Sequence, residues 1–368
     1  MDSTVLQKLN NNVDGEGDKD FLFAEQLVYG ALVPMVMRAA IKLNVFEIMS
    51  RAPATYLSAS EIASQLPTNK NSDAHIVLDR LLRFLASHSV LTCITQENDI
   101  NNGGEVERLY GLTPVCKYFI KNEDGASLCP SLLFTNHKTL LNTWLYFDDT
   151  VLYPDFSAVT KVHGMDVYDY GAKDPELNEL FNRSMSNDSA IIMKKILENY
   201  KGFEGLKVLV DAGGGVGTNI NMILSEFPTI RGINFDLPHV IETAPSYPGV
   251  EHVGGDMFVS IPKGDAIFMK WVLHNWSDEQ CLTLLKKCYE ALPDGGKVIV
   301  VETIVPAVPD PDNATRLSYT YDLMMMTFNS KVKERTEEEF DALAKGSGFA
   351  GIRLACNAFS FWVVEFLK

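Results

Sequence analysis

The chain is expected to fold as an α/β protein in which a doubly wound, Rossmann-like sheet follows a smaller, mostly helical domain of winged-helix outline. Three observations point there. From residue 207 onward, short apolar runs alternate with helical segments, as successive βαβ units require. The first run ends in a cluster of glycines ahead of a helix, where an open sheet holds its ligand. Before residue 124 the pattern is instead helix, turn, helix and two short strands.

Taken in order, residues 21–49 carry helical periodicity with one interior proline, Pro34. Ser58-Ala-Ser-Glu61 has the spacing of a capping box and opens a helix through Leu66. Residues 73–91 place Ile76, Leu78, Leu81, Leu82, Leu85 and Leu91 on or near one helical face. The stretches 91–95 and 108–112 read as strands around a polar Asn/Gly loop. Asp73 and Asp79 offset Arg80 and Arg83, whereas a groove-reading helix carries a basic surplus. The outline therefore suits protein–protein contact better than DNA. Residues 132–155 are helical and aromatic (Trp144, Tyr146, Phe147, Tyr153), and a further helix is expected over 175–200. The runs 207–211, 232–236, 266–269 and 297–301 suit buried parallel strands, and 359–367 is another strand. The domains are set at 1–124 and 125–368.

Composition agrees. A length of 368 residues suits two domains, and 46% hydrophobic with 22% charged residues describes a folded globular chain. A net charge of -16 repels phosphate backbones, which argues against nucleic acid as a partner. The six cysteines are scattered without metal-like spacing, as buried thiols in a reducing compartment would be. The polar, acidic start (1–20) has no signal-peptide pattern, and the apolar stretch 27–37 is too short to span a bilayer. The N-x-S/T matches at Asn182, Asn187, Asn275 and Asn313 then carry no glycosylation meaning. A cytoplasmic protein with no membrane partner is expected.

The chemistry begins at Val208-Leu-Val-Asp211-Ala-Gly213-Gly214-Gly215-Val-Gly217. Glycines let the backbone turn tightly and approach a ligand without a Cβ in the way. A dinucleotide fingerprint would need glycine at Thr218. The acid just ahead, Asp211, disfavours a pyrophosphate and suits a ligand bearing an ammonium and a sulfonium. Asp236 ends the second run about 20 residues later, where an acid accepts ribose hydroxyls. Asp256 and Met257, in a loop after a further likely strand, suit an adenine amino group and its ring face, and Lys270 closes the fourth strand. Charged residues at successive strand ends converge on the ligand edge of such a sheet. An adenosyl ligand is the reading, against a bare structural glycine turn or an NAD-dependent dehydrogenase.

With these motifs the chain closely resembles the plant small-molecule O-methyltransferases, especially their caffeate-type branch. The resemblance covers nearly the whole chain. It is carried by Asn234-Phe-Asp-Leu-Pro-His239, Gly249-Val-Glu-His-Val-Gly-Gly-Asp-Met-Phe258, Lys263-Gly-Asp-Ala-Ile-Phe-Met-Lys-Trp271 and Lys333-Glu-Arg-Thr336, with Leu78-Asp-Arg-Leu-Leu82 and Arg108-Leu-Tyr-Gly-Leu-Thr-Pro114 ahead of them. It implies S-adenosylmethionine held by Gly213, Asp236, Leu237, Asp256, Met257 and Lys270, and a first domain that forms a homodimer and lends residues to the partner's pocket. It also implies a catalytic His274 flanked by Glu302 and Glu334. A phenol of pKa about 10 needs a nearby base at neutral pH, and imidazole suits that work. A carboxylate on one ring nitrogen would fix the tautomer and stabilise the imidazolium. Methyl transfer then needs an in-line approach and no metal. The rival of another class is a winged-helix regulator with a degenerate cofactor domain, which the intact site residues disfavour.

Three departures bear on the substrate, expected to be a small aromatic phenol. The residue after the histidine, usually Asp, is Asn275; two positions often His are Gly171 and Asp188; and the usual glycines before Lys333 are Lys331 and Val332. An aspartate at 188 would repel a carboxylate tail and attract an ammonium. A phenolic amine, of phenethylamine or isoquinoline alkaloid type, is therefore expected over caffeate, with solvent-facing or helix-capping Asp188 as the bland alternative. Further pocket candidates are Asn136, Leu141, Phe181, Met185, Met324, Met325 and Asn329. Methionine-rich walls adapt to flat rings, although Met324-Met325-Met326 also suits plain helix core.

Overall fold

The structure, a computed structural model, describes residues 16–67, 70–97, 106–165, 170–171 and 173–368. The expectations for the acidic start before residue 16 and for the polar loop after residue 97 lie outside the described residues. The chain forms two compact units, divided after Asn136.

In the first unit the helical stretch expected over 21–49 is three helices, α1 Glu16–Tyr29, α2 Leu32–Lys42 and α3 Val45–Arg51. Asn44 separates the last two at φ 57, a left-handed conformation that asparagine tolerates better than most residues. The strand β1 Tyr56–Ser58 precedes α4 Ala59–Ser64, whose capping box forms as expected. Glu61 N–H donates to Ser58 Oγ at 3.2 Å and Ser58 N–H to Glu61 Oε2 at 2.7 Å. α5 Ala74–Ser87 buries Leu78, Leu82 and Leu85. β2 Leu91–Glu97 and β3 Val106–Leu112 pair antiparallel, and β1 completes a sheet of order β1-β3-β2. Arg83 and Arg108 both pair with Asp79, so these cations are spent within the unit. α6 Cys129–Thr135 follows, and Leu132 packs on this unit's core.

The second unit opens with α7 Lys138–Thr143, α8 Phe147–Leu152, α9 Ala158–His163 and α10 Pro175–Asn199. Alternating strands and helices come next: β4 Val208–Ala212, α11 Thr218–Glu226, β5 Arg231–Asp236, α12 Pro238–Ile241, β6 Val250–Gly254 and β7 Ala266–Lys270. After β7 come α13 Asp278–Ala291, β8 Lys297–Thr303, α14 Asn313–Met326, α15 Glu337–Gly346, β9 Gly351–Ala358 and β10 Phe361–Leu367. The sheet order is β6-β5-β4-β7-β8-β10-β9, parallel except at β10, which runs antiparallel to both neighbours. Successive residues of each central strand enter opposite cores. Val210, Ile267 and Val298 join one, while Leu209, Phe268 and Ile299 join the other, as the two-residue period of a strand dictates. That double burial makes these strands read as unbroken apolar runs. Strand order reverses between β4 and β7, which opens a crevice at their carboxyl ends.

Among the described residues no single helix is long and apolar enough to cross a membrane; α1 and α2 would together suffice by composition but bend by 49°.

Candidate active site

The crevice is built from the ends of β4, β5, β7 and β8. At β4, Gly213, Gly215 and Gly217 take φ of +72, +58 and +87, conformations that favour glycine. Gly214 is required for another reason. A Cβ there would lie 2.2 Å from Asn234 Oδ1 and 2.7 Å from Asp211 Cγ. Asn234 is fully buried and buttresses the loop, its Nδ2 donating to Gly215 O at 2.8 Å and lying 3.1 Å from His252 Nδ1. Asp236 accepts from Gly215 N–H at 2.8 Å and from Leu237 N–H at 2.7 Å. Gly255 N–H donates to Asp236 O, and the Asp256 carboxylate caps the next turn through Phe258 N–H at 2.8 Å. Met257 packs on the core beside that turn.

Asp211 is 1% exposed and its Oδ2 has no protein partner. Burial, and then the charge of Asp236, push its carboxyl up to about 7. Asn219 Oδ1 and Asn234 Oδ1 are likewise buried without partners, while a Cβ on Gly215 would meet nothing within 4 Å. Unsatisfied buried acceptors beside open space at a glycine turn are what a bound ligand with donors and positive charge would complete. These acceptors fit the positively charged, donor-bearing S-adenosylmethionine. Lys270 is 6% exposed and donates to Ser189 Oγ at 2.9 Å. Burial holds its pKa well below the usual lysine range, against the pull of Asp188, Glu302 and Asp211.

His274 sits on a short helical turn, Leu273–Asn275, directly after β7. Its Nδ1 lies 2.8 Å from Glu334 Oε1 and 3.5 Å from Glu302 Oε2. Glu302 is fully buried at the end of β8, and its Oε1 accepts the N–H groups of Val272 and Leu273 at 2.8 and 2.9 Å. Burial pulls the imidazole down, but the charges of Glu302 and Glu334 and the Glu334 hydrogen bond outweigh it, so its pKa rises to about 9. Glu302 is itself raised by burial, against the opposing charge of His274. The donor atoms of the trio lie within 4.8 Å of one another, near enough to share a cation.

The substrate-side candidates are less concentrated. Asp188 lies midway along α10, and its charge acts on Lys270 and on Tyr321. Asn275 turns its Nδ2 back to Trp271 O at 2.9 Å. Phe181 and Met185 are half-buried on α10, Leu141 on α7, and Met324 on α14, where Met325 is buried. Gly171 would bring a Cβ to 3.6 Å from Asn178 Oδ1, and Asn329 Oδ1 accepts from Lys331 N–H at 2.9 Å. Asn136 belongs to the first unit and donates to Leu132 O at the end of α6. Sequence reasoning passed over Arg335, whose side chain is buried under the His274 turn. It lay in an apparent run of surface charge, and only its place in the Lys333-Glu-Arg-Thr336 motif singled it out.

Two family models match the chain: an O-methyltransferase dimerisation domain over residues 25–122 and an O-methyltransferase domain over 144–350. A caffeic acid 3-O-methyltransferase of Rosa chinensis is 56% identical over 348 residues, 94% of each chain. One from Capsicum annuum is 53% identical over 369 residues and the full length of both. Among solved structures, human N-acetylserotonin methyltransferase in complex with SAM matches with a TM-score of 0.76 at 20% identity, covering 96% of this chain and 99% of that one. LaPhzM matches with a TM-score of 0.72 at 27% identity, covering 94% and 98%. The chain belongs to the plant caffeate-type family of O-methyltransferases, enzymes whose methyl donor is S-adenosylmethionine.

Proposed function

We propose that this enzyme methylates a phenolic hydroxyl of a caffeate-type phenylpropanoid acid, with His274 as general base. The observation that carries the proposal is the ring nitrogen of His274 held 2.8 Å from Glu334, with Glu302 behind it. The cofactor would be held by Asp211, Gly213, Gly215, Asp236, Leu237, Asp256, Met257 and Lys270. When bound, S-adenosylmethionine would supply an electrophilic methyl carbon for the phenolic oxygen, with a neutral thioether as the leaving group. The protein's own work is on the proton. With Nδ1–H committed to Glu334, Nε2 is the nitrogen that accepts the phenol proton, and two carboxylates stabilise the imidazolium that results. Glu302 also fixes the backbone of the turn that carries the ring.

Asp188 no longer supports the amine preference. Its charge already favours the protonated form of the buried Lys270, so it offers no independent reason to select an ammonium. The names of the relatives point to acids. Leu141, Gly171, Phe181, Met185, Asn275, Met324, Met325 and Asn329 remain the proposed acceptor contacts.

The test is methyl transfer to a panel of catecholic acids and catecholic amines, with and without chelator. Acids are expected to turn over faster, chelator to change nothing, and His274→Gln to lower kcat on the order of 10²- to 10⁴-fold. Faster turnover of the amines would reverse the acceptor assignment, and a His274→Gln enzyme at full rate would remove the base.

A further inference from the structure

We infer that Arg335 is a positioning residue for His274, holding the turn 271–276 in the conformation that aims the imidazole. This rests on the proposed role of His274. The turn starts under constraint, because Trp271 takes φ 57, a region that non-glycine side chains avoid. Its backbone is then gripped from two directions. Glu302 takes the N–H groups of Val272 and Leu273 on the one side. Arg335 gives Nη1 to Leu273 O at 2.8 Å and Nη2 to Trp276 O at 2.7 Å on the other. His274 lies between the two grips. The Cys281 thiol adds a weaker contact to Leu273 O at 3.3 Å, and Asn275 ties back to Trp271 O.

The two grips share one scaffold. Arg335 forms a parallel bridge with Ile304, two residues beyond Glu302, and Val305 N–H donates to Arg335 O at 2.9 Å. Its chain neighbour Glu334 is the residue that meets the imidazole. A shift of Arg335 therefore moves both the turn and the carboxylate facing the ring. The guanidinium is 1% exposed, with Nε donating to Asp278 Oδ1 at 2.9 Å. A buried cation is costly unless its donors are all engaged, and here each nitrogen has an acceptor. Lysine, with one compact ammonium, cannot span two carbonyls and a carboxylate together. The groups facing the imidazole are Glu302, Glu334 and, more distantly, Lys270. Arg335 touches the turn and not the ring.

Arg335→Lys and Arg335→Ala in the full chain provide the test, read by steady-state kinetics and by NMR titration of the His274 imidazole. Arg335→Lys is expected to lower kcat on the order of 10- to 100-fold, with KM for S-adenosylmethionine within about threefold. The imidazole should titrate at lower pH as the ring slips from Glu334, and methylguanidinium should restore part of kcat in Arg335→Ala. Should these variants fail to fold, Asp278→Ala removes the anchor from a half-exposed site; a shift in the same direction with about a threefold loss of kcat is expected. Unchanged kcat and an unmoved His274 titration in a folded variant would overturn the inference. So would a loss of kcat that only tracks the folded fraction. If the wild type methylates no phenol but Arg335→Lys still moves the titration, the general-base proposal fails while the positioning role of Arg335 holds.

Discussion

His274 carries a tension that makes its role measurable. A general base must be neutral before it accepts a proton, yet the flanking carboxylates hold this imidazole protonated up to about pH 9. Rate should therefore climb with pH through the alkaline side of neutrality, with the limb set by the trio. Positive charge lowers the imidazole pKa, as Lys270 already does, so a bound sulfonium brings the limb closer to neutral. Glu334→Gln removes one carboxylate and the charged partner of the 2.8 Å contact, so the imidazole pKa falls. The ascending limb of kcat should move toward acid while its plateau drops about tenfold or more, since the imidazolium formed during transfer loses support. A limb that stays in place would show that another group controls the rate. Linkage gives a second reading. A histidine raised in the folded state stabilises the protein below its unfolded pKa of about 6.5, and that contribution disappears as pH rises through about 9. The histidine was singled out by the family resemblance, with which its place after a strand agrees. Glu334 was less so, because Lys333-Glu-Arg-Thr-Glu-Glu-Glu339 reads as a solvated charged face. The fold buries Glu334 and Arg335 and leaves Glu337 and Glu338 outside, and no periodicity in that run distinguishes them.

The strand–loop–helix unit around β4 shows the opposite balance. The glycine spacing, the acid before it and the acid ending β5 were all legible, because each answers a local geometric need. Two strands were not. β1 has three residues, too few for an alternation to register, and β9 is an edge strand whose half-exposed face breaks the apolar pattern. The loop makes its own prediction through Asp211. In the free protein its carboxyl titrates near 7, raised by burial and then by Asp236. A cofactor bearing positive charge favours the ionised form, so binding below that pH must expel a proton. The dissociation constant for S-adenosylmethionine should fall by up to about tenfold per pH unit as pH rises toward 7 and then level off. Calorimetry in buffers of different ionisation enthalpy would register the released proton. Asp211→Asn should bind more weakly above pH 7 and lose the slope. A wild-type affinity flat across this range would mean that Asp211 is ionised in the free protein, or that the cofactor's charge lies elsewhere.

The whole chain carries a net charge of -16, which opposes association, yet its first unit leaves large apolar side chains uncovered. Phe21, Phe23, Leu27, Val28 and Tyr29 on α1 are all at least 60% exposed, and Ile76 and Val77 on α5 are about half exposed. Exposed apolar patches of this kind mark contact surfaces, and they fall within or beside the segment that matches the dimerisation model. A homodimer is expected in solution. Burying this surface must outweigh the repulsion between two like-charged chains, and that repulsion is screened by salt, so dimerisation should tighten as ionic strength rises. Replacing Phe21, Phe23 and Leu27 together with Asp removes apolar area and adds charge at the same place. Light scattering should then give a monomer at concentrations where the parent chain is a dimer. Burial of aromatic and leucine side chains is worth roughly 1.5–3 kcal/mol each, so three losses weaken association by several orders of magnitude. A triple variant that remains a dimer would move the interface off α1, and a parent dimer that weakens with salt would mean that charge pairs, not apolar burial, hold the two copies together.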